Sequence, residues 1–315
     1  MYSIVVRRFG GPEVVQLVDG PVPEPGDGQV RIMVAASSVN AIDLSARAGR
    51  LTQAGLMAAA EQIGLGWDVS GYVDAVGSGV RRFSPGDPVV GLRDLLFAPG
   101  AHAEQVVLDE SAVARAPRSA SPAESATLPL NGLTADRSLD MAGLHGGQTL
   151  LVTGAAGGVG GYVLELAAAR GIRTIALARP DDTRLVRKLG ATDVVTSADN
   201  VGAAVRDIVR GGVDAVIDAA CLGIQAHNAL RGAGTFIALV APFAPPPIRG
   251  TRVLVQEVFA DGARLAELAA MVDAGALTLR VAAALPLADA ATAHTMLERG
   301  GLRGRVVLQP SGQGS

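Results

Sequence analysis

The chain has 315 residues, 49% of them hydrophobic, with 27 basic and 30 acidic side chains, four histidines and one cysteine. That is apolar mass enough for about two domain cores, and a net charge of −3 with no clustered basic stripe excludes a nucleic-acid surface. No apolar run approaches the roughly 18 residues of a membrane span, and the lone Cys221 excludes an intrachain disulfide framework and any multi-cysteine metal site.

The chain opens on a strand, Tyr2-Ser3-Ile4-Val5-Val6, and not on a signal peptide, so a soluble cytoplasmic protein is expected. The first ~120 residues are rich in β-branched side chains and broken by turn signals. Gly10-Gly11-Pro12, Pro23 to Gly28 and Ser84-Pro85-Gly86-Asp87 separate short strands such as Val30 to Ala35, Tyr72 to Val76 and Gln105 to Leu108, with a helical stretch between Ala41 and Ala60. Ser121, Pro122 and Glu124 form a helix-start signal, and one helix is expected from there to about Ala142. Strands and helices then alternate: strands Thr149–Val152, Thr174–Ala178, Asp193–Thr196, Ala215–Ala219 and Thr235–Val240, with helices between them. That alternation predicts a doubly wound parallel sheet. Arg264 to Ala274 and Ala288 to Glu298 read as helices, and Gly304 to Gln309 as a closing strand.

The strand at 150–152 runs into Thr153-Gly154-Ala155-Ala156-Gly157-Gly158-Val159-Gly160-Gly161, with a helix expected from about Tyr162 to Arg170. Small residues let a backbone turn tightly against a pyrophosphate, and a helix N-terminus offers N–H groups to negative charge. Ala155-x-Gly157-x-x-Gly160 fits the dinucleotide fingerprint with Ala at the first glycine. Forty glycines in the chain make a lone match weak, but the following strand completes a β-α-β unit of about 30 residues.

A second signature runs from Gly66-Trp67-Asp68 through Gly71, Gly77 and Gly79 to Pro85-Gly86-Asp87 and Gly91. With Val39-Asn40-Ala41-Ile42-Asp43, Gly132-Leu133-Thr134-Ala135 and the glycine turn, it resembles the medium-chain dehydrogenase/reductase superfamily, most closely the zinc-independent branch of quinone oxidoreductases and enone reductases. The resemblance implies a GroES-like β-rich domain (residues 1–122) holding the substrate, a Rossmann NAD(P)-binding domain (123–280) inserted in it, a C-terminal return to the first domain (281–315), and a homodimer formed through the late Rossmann strands. Where zinc-dependent relatives carry Cys and His, this chain has Asn40 and Trp67, and its histidines have no paired spacing. A catalytic zinc takes about three protein ligands, so no zinc is expected.

Without a metal the remaining chemistry is hydride transfer from a nicotinamide to an electrophilic carbon of a quinone or an α,β-unsaturated carbonyl. A dedicated enoyl reductase of a secondary-metabolite pathway, or a turnover-free NADPH-binding sensor or structural protein, are the other readings. Asn40 is the first candidate to donate a hydrogen bond to the developing oxyanion, or it caps the turn after it. Thr134 resembles a nicotinamide contact, or it is an ordinary helix hydroxyl. Asp43, at the substrate pocket, is read as an N-terminal brace for the helix that follows rather than as a catalytic group. Relatives carry a Tyr where this chain has Ser45. Arg179 ends the second strand and, with Arg184, suits a 2′-phosphate, favouring NADPH over NADH; Asp181 and Asp182 are expected to cap the next helix. Ala219, Ala220, Leu239, Val240 and Ala241 follow strand ends where a dinucleotide would lie, and Gly304 and Arg305 resemble a segment closing over the family's active site. Leu95, Phe97, Phe243, Val255 and Phe259 are the candidate substrate-pocket side chains, each of which could instead be core.

Overall fold

The computed structural model describes residues 1–94, 100–196 and 199–310. Leu95 and Phe97 lie outside the described residues. The chain divides into two compact units, Met1–Leu130 with Phe259–Ala274 and Leu279–Ser315, and Asn131–Val258 with Gly275–Thr278. Among the described residues no helix is long and apolar enough to cross a membrane.

The first unit is the β-rich one and has the GroES-like architecture. Its spine is the strand Gln29–Val39, whose alternating buried positions face a core of Val30, Ile32, Val34, Val69, Val73, Val89, Val106 and Val113. β-Branched side chains at period two are what a half-buried strand requires. The spine pairs antiparallel with Asp68–Val76, Gln105–Asp109 and the C-terminal strand Arg305–Gln309, the last through Val306 to Val39 and Leu308 to Ser37. The tail therefore returns to the β-rich unit. A smaller sheet sets Tyr2–Val6 between Gln16–Asp19 and Ile63–Gly64.

The second unit holds six parallel strands in the order Asp193–Val195, Arg173–Leu177, Thr149–Thr153, Val213–Asp218, Leu230–Ala238, Arg252–Val255. Read in chain order this is 3-2-1-4-5-6, the doubly wound arrangement whose ligand crevice opens where the order reverses, beside Thr149–Thr153. All five residues of that strand are buried, as expected of a strand covered on both faces.

Four sequence expectations change. The helix begun at Ser121 is two, Pro122–Ser125 and Pro129–Ala142, because Pro129 donates no N–H and disfavours helical geometry in the residue before it. The Ser121–Glu124 capping box is formed. The helix expected from Tyr162 spans Gly158–Ala169, inside the glycine run, with Gly157 as its extended N-cap. Strands Arg252–Val255 and Val281–Pro286 were not anticipated; the second is half-exposed and Ala-rich, with no apolar alternation to mark it. Helix Gly262–Asp273, expected within 123–280, belongs to the first unit. Its N-cap Asp261 accepts from Arg264 N at 2.9 Å, and a Cβ at Gly262 would lie 2.4 Å from Val113 O, so the helix end sits directly on the strand Val113–Arg115.

Candidate active site

In the second unit the glycine run forms a turn that only small residues can make. Gly154 carries φ +58°, in the left-handed region, and a Cβ there would lie 3.2 Å from the Ala219 carbonyl carbon. The tight turn is thus made one residue before Ala155, which explains how the motif tolerates Ala at its first position. Ala155 is buried and its N–H reaches Leu177 O at 3.3 Å. Gly160 is the most constrained: a Cβ would lie 2.3 Å from Gly154 O and 2.8 Å from Ala155 Cα. Helix Gly158–Ala169 therefore starts hard against the strand end, with the N–H groups of its first turn, at Gly158, Val159 and Gly160, directed out of the helix.

The neighbouring strand end is pinned by side chains. Thr153 Oγ1 donates to Asp218 Oδ1 at 2.6 Å and accepts from Ala220 N at 2.9 Å, while Asp218 Oδ2 accepts from Gly223 N at 2.8 Å. Thr153 and Asp218 are both buried. This lock fixes the loop carrying Ala219 and Ala220 against the glycine turn. Sequence reasoning placed the loop but gave Thr153 and Asp218 no role; the signal is a hydroxyl and a carboxylate directly after the apolar runs Leu150-Leu151-Val152 and Ala215-Val216-Ile217. Cys221, in the same loop, has φ +57° and is half-buried; burial, then the nearby Asp218, pushes its thiol up, against any role as a nucleophile. Leu239, Val240 and Ala241 follow the next strand, with Val240 and Ala241 exposed.

Arg179 and Arg184 are exposed just past the strand Arg173–Leu177, and no ion pair among the described residues holds either. The side-chain cap expected from Asp181 and Asp182 is not made at helix Thr183–Lys188. A single 3-10 turn, Pro180–Asp182, leads into that helix, and Thr183 N bonds back to Pro180 O instead. Thr134 lies buried on helix Pro129–Ala142, its carbonyl accepting from Ser138 Oγ at 2.7 Å.

In the first unit the sequence-picked residues meet in a buried polar cluster. Asn40 N-caps helix Ala41–Arg47, and its backbone N–H donates to Asp43 Oδ2 at 2.8 Å. Asp43 Oδ1 accepts from Gly66 N at 2.8 Å. Asp43 is 0% exposed and braces the start of the helix, and Asn40 beside it is 1% exposed. Burial pushes its carboxyl up, with His102 and Arg93 pulling the other way. Gly66 is required where it stands: φ is +102°, and a Cβ would lie 2.2 Å from His102 N.

Asn40 Nδ2 donates to Asp68 Oδ2 at 2.6 Å and to Ser38 O at 3.3 Å. Asp68 also receives Leu130 N at 2.7 Å and the Ser38 hydroxyl. Burial raises Asp68 to about 6, although the donors from Ser38, Leu130 and Asn40 and the charge of Arg305 oppose it. His102 Nε2 sits 3.2 Å from Ser38 O. Sequence reasoning gave Asp68 no role beyond its place in the family signature and passed over Ser38 and His102. The two adjacent serines at 37–38, near the buried end of the strand Gln29–Val39, were the available signal. Arg305 begins the C-terminal strand, and Gly304 before it sits against Arg280 O, 2.5 Å from where a Cβ would be. Ser45, in the position of the family's Tyr, is bonded back to Ala41 O at 3.1 Å.

These residues do not fit a zinc centre. Trp67 has no ligating atom and packs beneath Arg93, whose guanidinium lies 5.6 Å from the ring centroid; Asn40 turns its amide nitrogen to Asp68. Among the described residues no group of three His, Cys, Asp or Glu is placed to hold a metal. Phe243 and Val255 are exposed in the second unit and Phe259 in the first; none is core.

Two family models match: alcohol dehydrogenase GroES-like domain over residues 26–118 and zinc-binding dehydrogenase over 189–308. A Pseudomonas aeruginosa quinone oxidoreductase is 36% identical over 66% of this chain, a match spanning 62% of that protein's length. An Arabidopsis thaliana NADPH-dependent alkenal/one oxidoreductase, chloroplastic, is 30% identical over 98% of this chain and 80% of its own. The solved quinone oxidoreductase from Coxiella burnetii superposes with a TM-score of 0.86 at 29% identity, covering 98% of this chain and 99% of that one. The fold and the site thus define a medium-chain dehydrogenase/reductase. Within that superfamily the chain belongs to the quinone oxidoreductase branch.

Proposed function

We propose that this protein is an NADPH-dependent, metal-free oxidoreductase that transfers a hydride to the electrophilic carbon of a quinone or an α,β-unsaturated carbonyl. The observation that carries the reading is the cradle at Gly154–Gly160 followed by two exposed arginines one strand over. The names of the relatives, quinone oxidoreductase and NADPH-dependent alkenal/one oxidoreductase, support the substrate class.

The bound nicotinamide supplies the hydride. The chain supplies everything else. The N–H groups at the start of helix Gly158–Ala169 receive the pyrophosphate. Arg179 and Arg184 take the 2′-phosphate, for which a guanidinium is the suited partner. The Thr153–Asp218 lock keeps Ala219 and Ala220 in place beside the cradle. Thr134 holds the nicotinamide. Asn40 meets the substrate carbonyl oxygen with the hydrogen that now makes its longer bond, the one to Ser38 O. Water protonates the product carbon or oxygen, since Ser45 is a far weaker acid than the phenol it replaces.

The first unit carries the substrate and the second the cofactor, and the protein works in the cytoplasm, where a single half-buried thiol stays reduced. The edge strand Arg252–Val255, with exposed Val255, pairs with a second copy to give a homodimer, which sedimentation at equilibrium tests.

The test of function is oxidation of NADPH and of NADH against a panel of small quinones and enones, with and without a chelator. Turnover preferring NADPH and unaffected by chelation supports the reading. Binding of NADPH with no turnover of any panel member overturns it in favour of a non-catalytic binder.

A further inference from the structure

We propose that Asp68 functions as a carboxylic acid that gains and loses a proton in the working range of the protein, and that this proton sets how firmly Asn40 is held. Ser38 Oγ carries one hydrogen and faces two acceptors, Asp68 Oδ2 and, at 2.9 Å, Ala126 O. A carbonyl oxygen has no proton to give. When Ser38 serves Ala126, the contact with Asp68 needs a hydrogen that comes from Asp68 itself.

The acid form satisfies the whole cluster. Asp68 Oδ2–H donates to Ser38 Oγ, Ser38 donates onward to Ala126 O, Oδ1 accepts from Leu130 N, and Oδ2 still accepts from Asn40 Nδ2. The ionised form draws the Ser38 hydrogen away from Ala126 and makes the Asn40 bond charge-assisted, roughly twice as strong as a neutral one. The Asn40 amide cannot flip out of this role, because both of its nitrogen's neighbours, Asp68 Oδ2 and Ser38 O, are placed to accept.

The surrounding charges allow this titration. Burial disfavours the carboxylate and lifts Asp68 to about 6; Arg305, at the start of the C-terminal strand, works against it. Asp43, with His102 and Arg93 acting on it, is joined to Asp68 through Asn40, whose backbone N–H it accepts, and His102 Nε2 lies 3.2 Å from Ser38 O. Glu124, on the short helix packed against the same strand, is exposed and held by Ser121.

The consequence rests on the proposed reading that Asn40 meets the substrate oxygen. With Asp68 protonated, the amide is loosely held and turns to the substrate; with Asp68 ionised, it is retained. Asp68 is thus a positioning residue. Between about pH 5 and about pH 7.5, KM for an enone is expected to rise about fivefold, the worth of one hydrogen bond, with a smaller change in kcat. In Asp68→Asn that pH dependence disappears.

The experiment is carbon NMR of the intact protein labelled at its aspartate carboxyls, alongside the pH profile. The resonance lost in Asp68→Asn is expected to titrate near pH 6. A midpoint below pH 5 overturns the proposal even if the enzyme is fully active. A midpoint near 6 with a pH-independent KM overturns the link to Asn40. Absence of any turnover defeats the functional reading, while the NMR midpoint still decides the protonation of Asp68.

Discussion

The cofactor cradle and the polar cluster of the β-rich unit are built on opposite principles. The cradle is backbone: a left-handed glycine, a glycine with no room for a Cβ, helix N–H groups and two solvent-exposed arginines. Its arginines stay in solvent, and the one carboxylate that pins it, Asp218, is buried with a donor on each oxygen. The cluster around Asn40 is built on side chains: Asp43 and Asp68, both 0% exposed, held by donors from three separate segments. Burying carboxyls is costly unless each oxygen is paired, and here the pairing is complete while the titration is displaced. One region binds by shape and the other is sensitive to protons.

Breaking the cradle gives the largest effect. Gly160→Ala places a methyl 2.3 Å from Gly154 O, where backbone and not a flexible side chain must move. NADPH affinity, read by fluorescence titration, is expected to fall by more than about 100-fold, with a stability loss of about 1–3 kcal/mol. Arg179→Ala sharpens the same side. It should weaken NADPH about tenfold and leave NADH unchanged, the loss of one charge-assisted contact; equal losses for both cofactors would mean that Arg179 does not meet the 2′-phosphate. Asp218→Ala leaves Thr153 Oγ1 and Gly223 N without their acceptor. About 2 kcal/mol of stability should go, measured by denaturant unfolding, with a several-fold weaker hold on the cofactor.

The smallest expected effect is an acid titration within the β-rich unit. His294, buried with its Nδ1 beside Arg47, is driven down to about 3 by burial, then by His102 and Arg47, from an ordinary value of 6.5. The unfolded chain takes that proton first, so stability falls as pH drops through the window from 6.5 towards 3. Asp68 is raised from 3.8 to about 6. The folded protein takes that proton first, so stability rises as pH drops from about 6 to 3.8. The two slopes oppose each other inside the β-rich unit. His294→Gln should flatten the acid loss, and Asp68→Asn should steepen it, in unfolding free energies measured at stepped pH. Matching slopes in all three proteins would contradict the assignment.

The cradle was legible in the sequence and the cluster was not, for a physical reason. The glycine turn, its strand and its helix are contiguous, and their periodicities switch over a dozen residues. The bonds of the cluster join residues far apart: Asp43 to Gly66, Ser38 and Asn40 to Asp68, Leu130 to Asp68. Spacing does not encode such contacts. Asn40 and Asp43 were found through family resemblance, but the partner that takes the Asn40 amide was not. The fold followed the same rule. The inner parallel strands were found because each carries β-branched apolar residues that are buried on both faces, whereas the edge strands Arg252–Val255 and Val281–Pro286 are half-exposed, the first only four residues long and the second Ala-rich. Helix Gly262–Asp273 was recognised as a helix from Leu265, Leu268, Ala269 and Val272, yet that face says nothing of which sheet it covers.

The most direct test of the central claim is the fate of the hydride. The metal-depleted protein is given NADPH carrying deuterium on the reactive face of its nicotinamide, with a small enone, and the product is read by mass spectrometry and NMR. The account predicts one deuterium on the carbon β to the carbonyl, delivered at the same rate as before metal removal. Product without deuterium at that carbon, or turnover lost on depletion and restored by zinc, would contradict it.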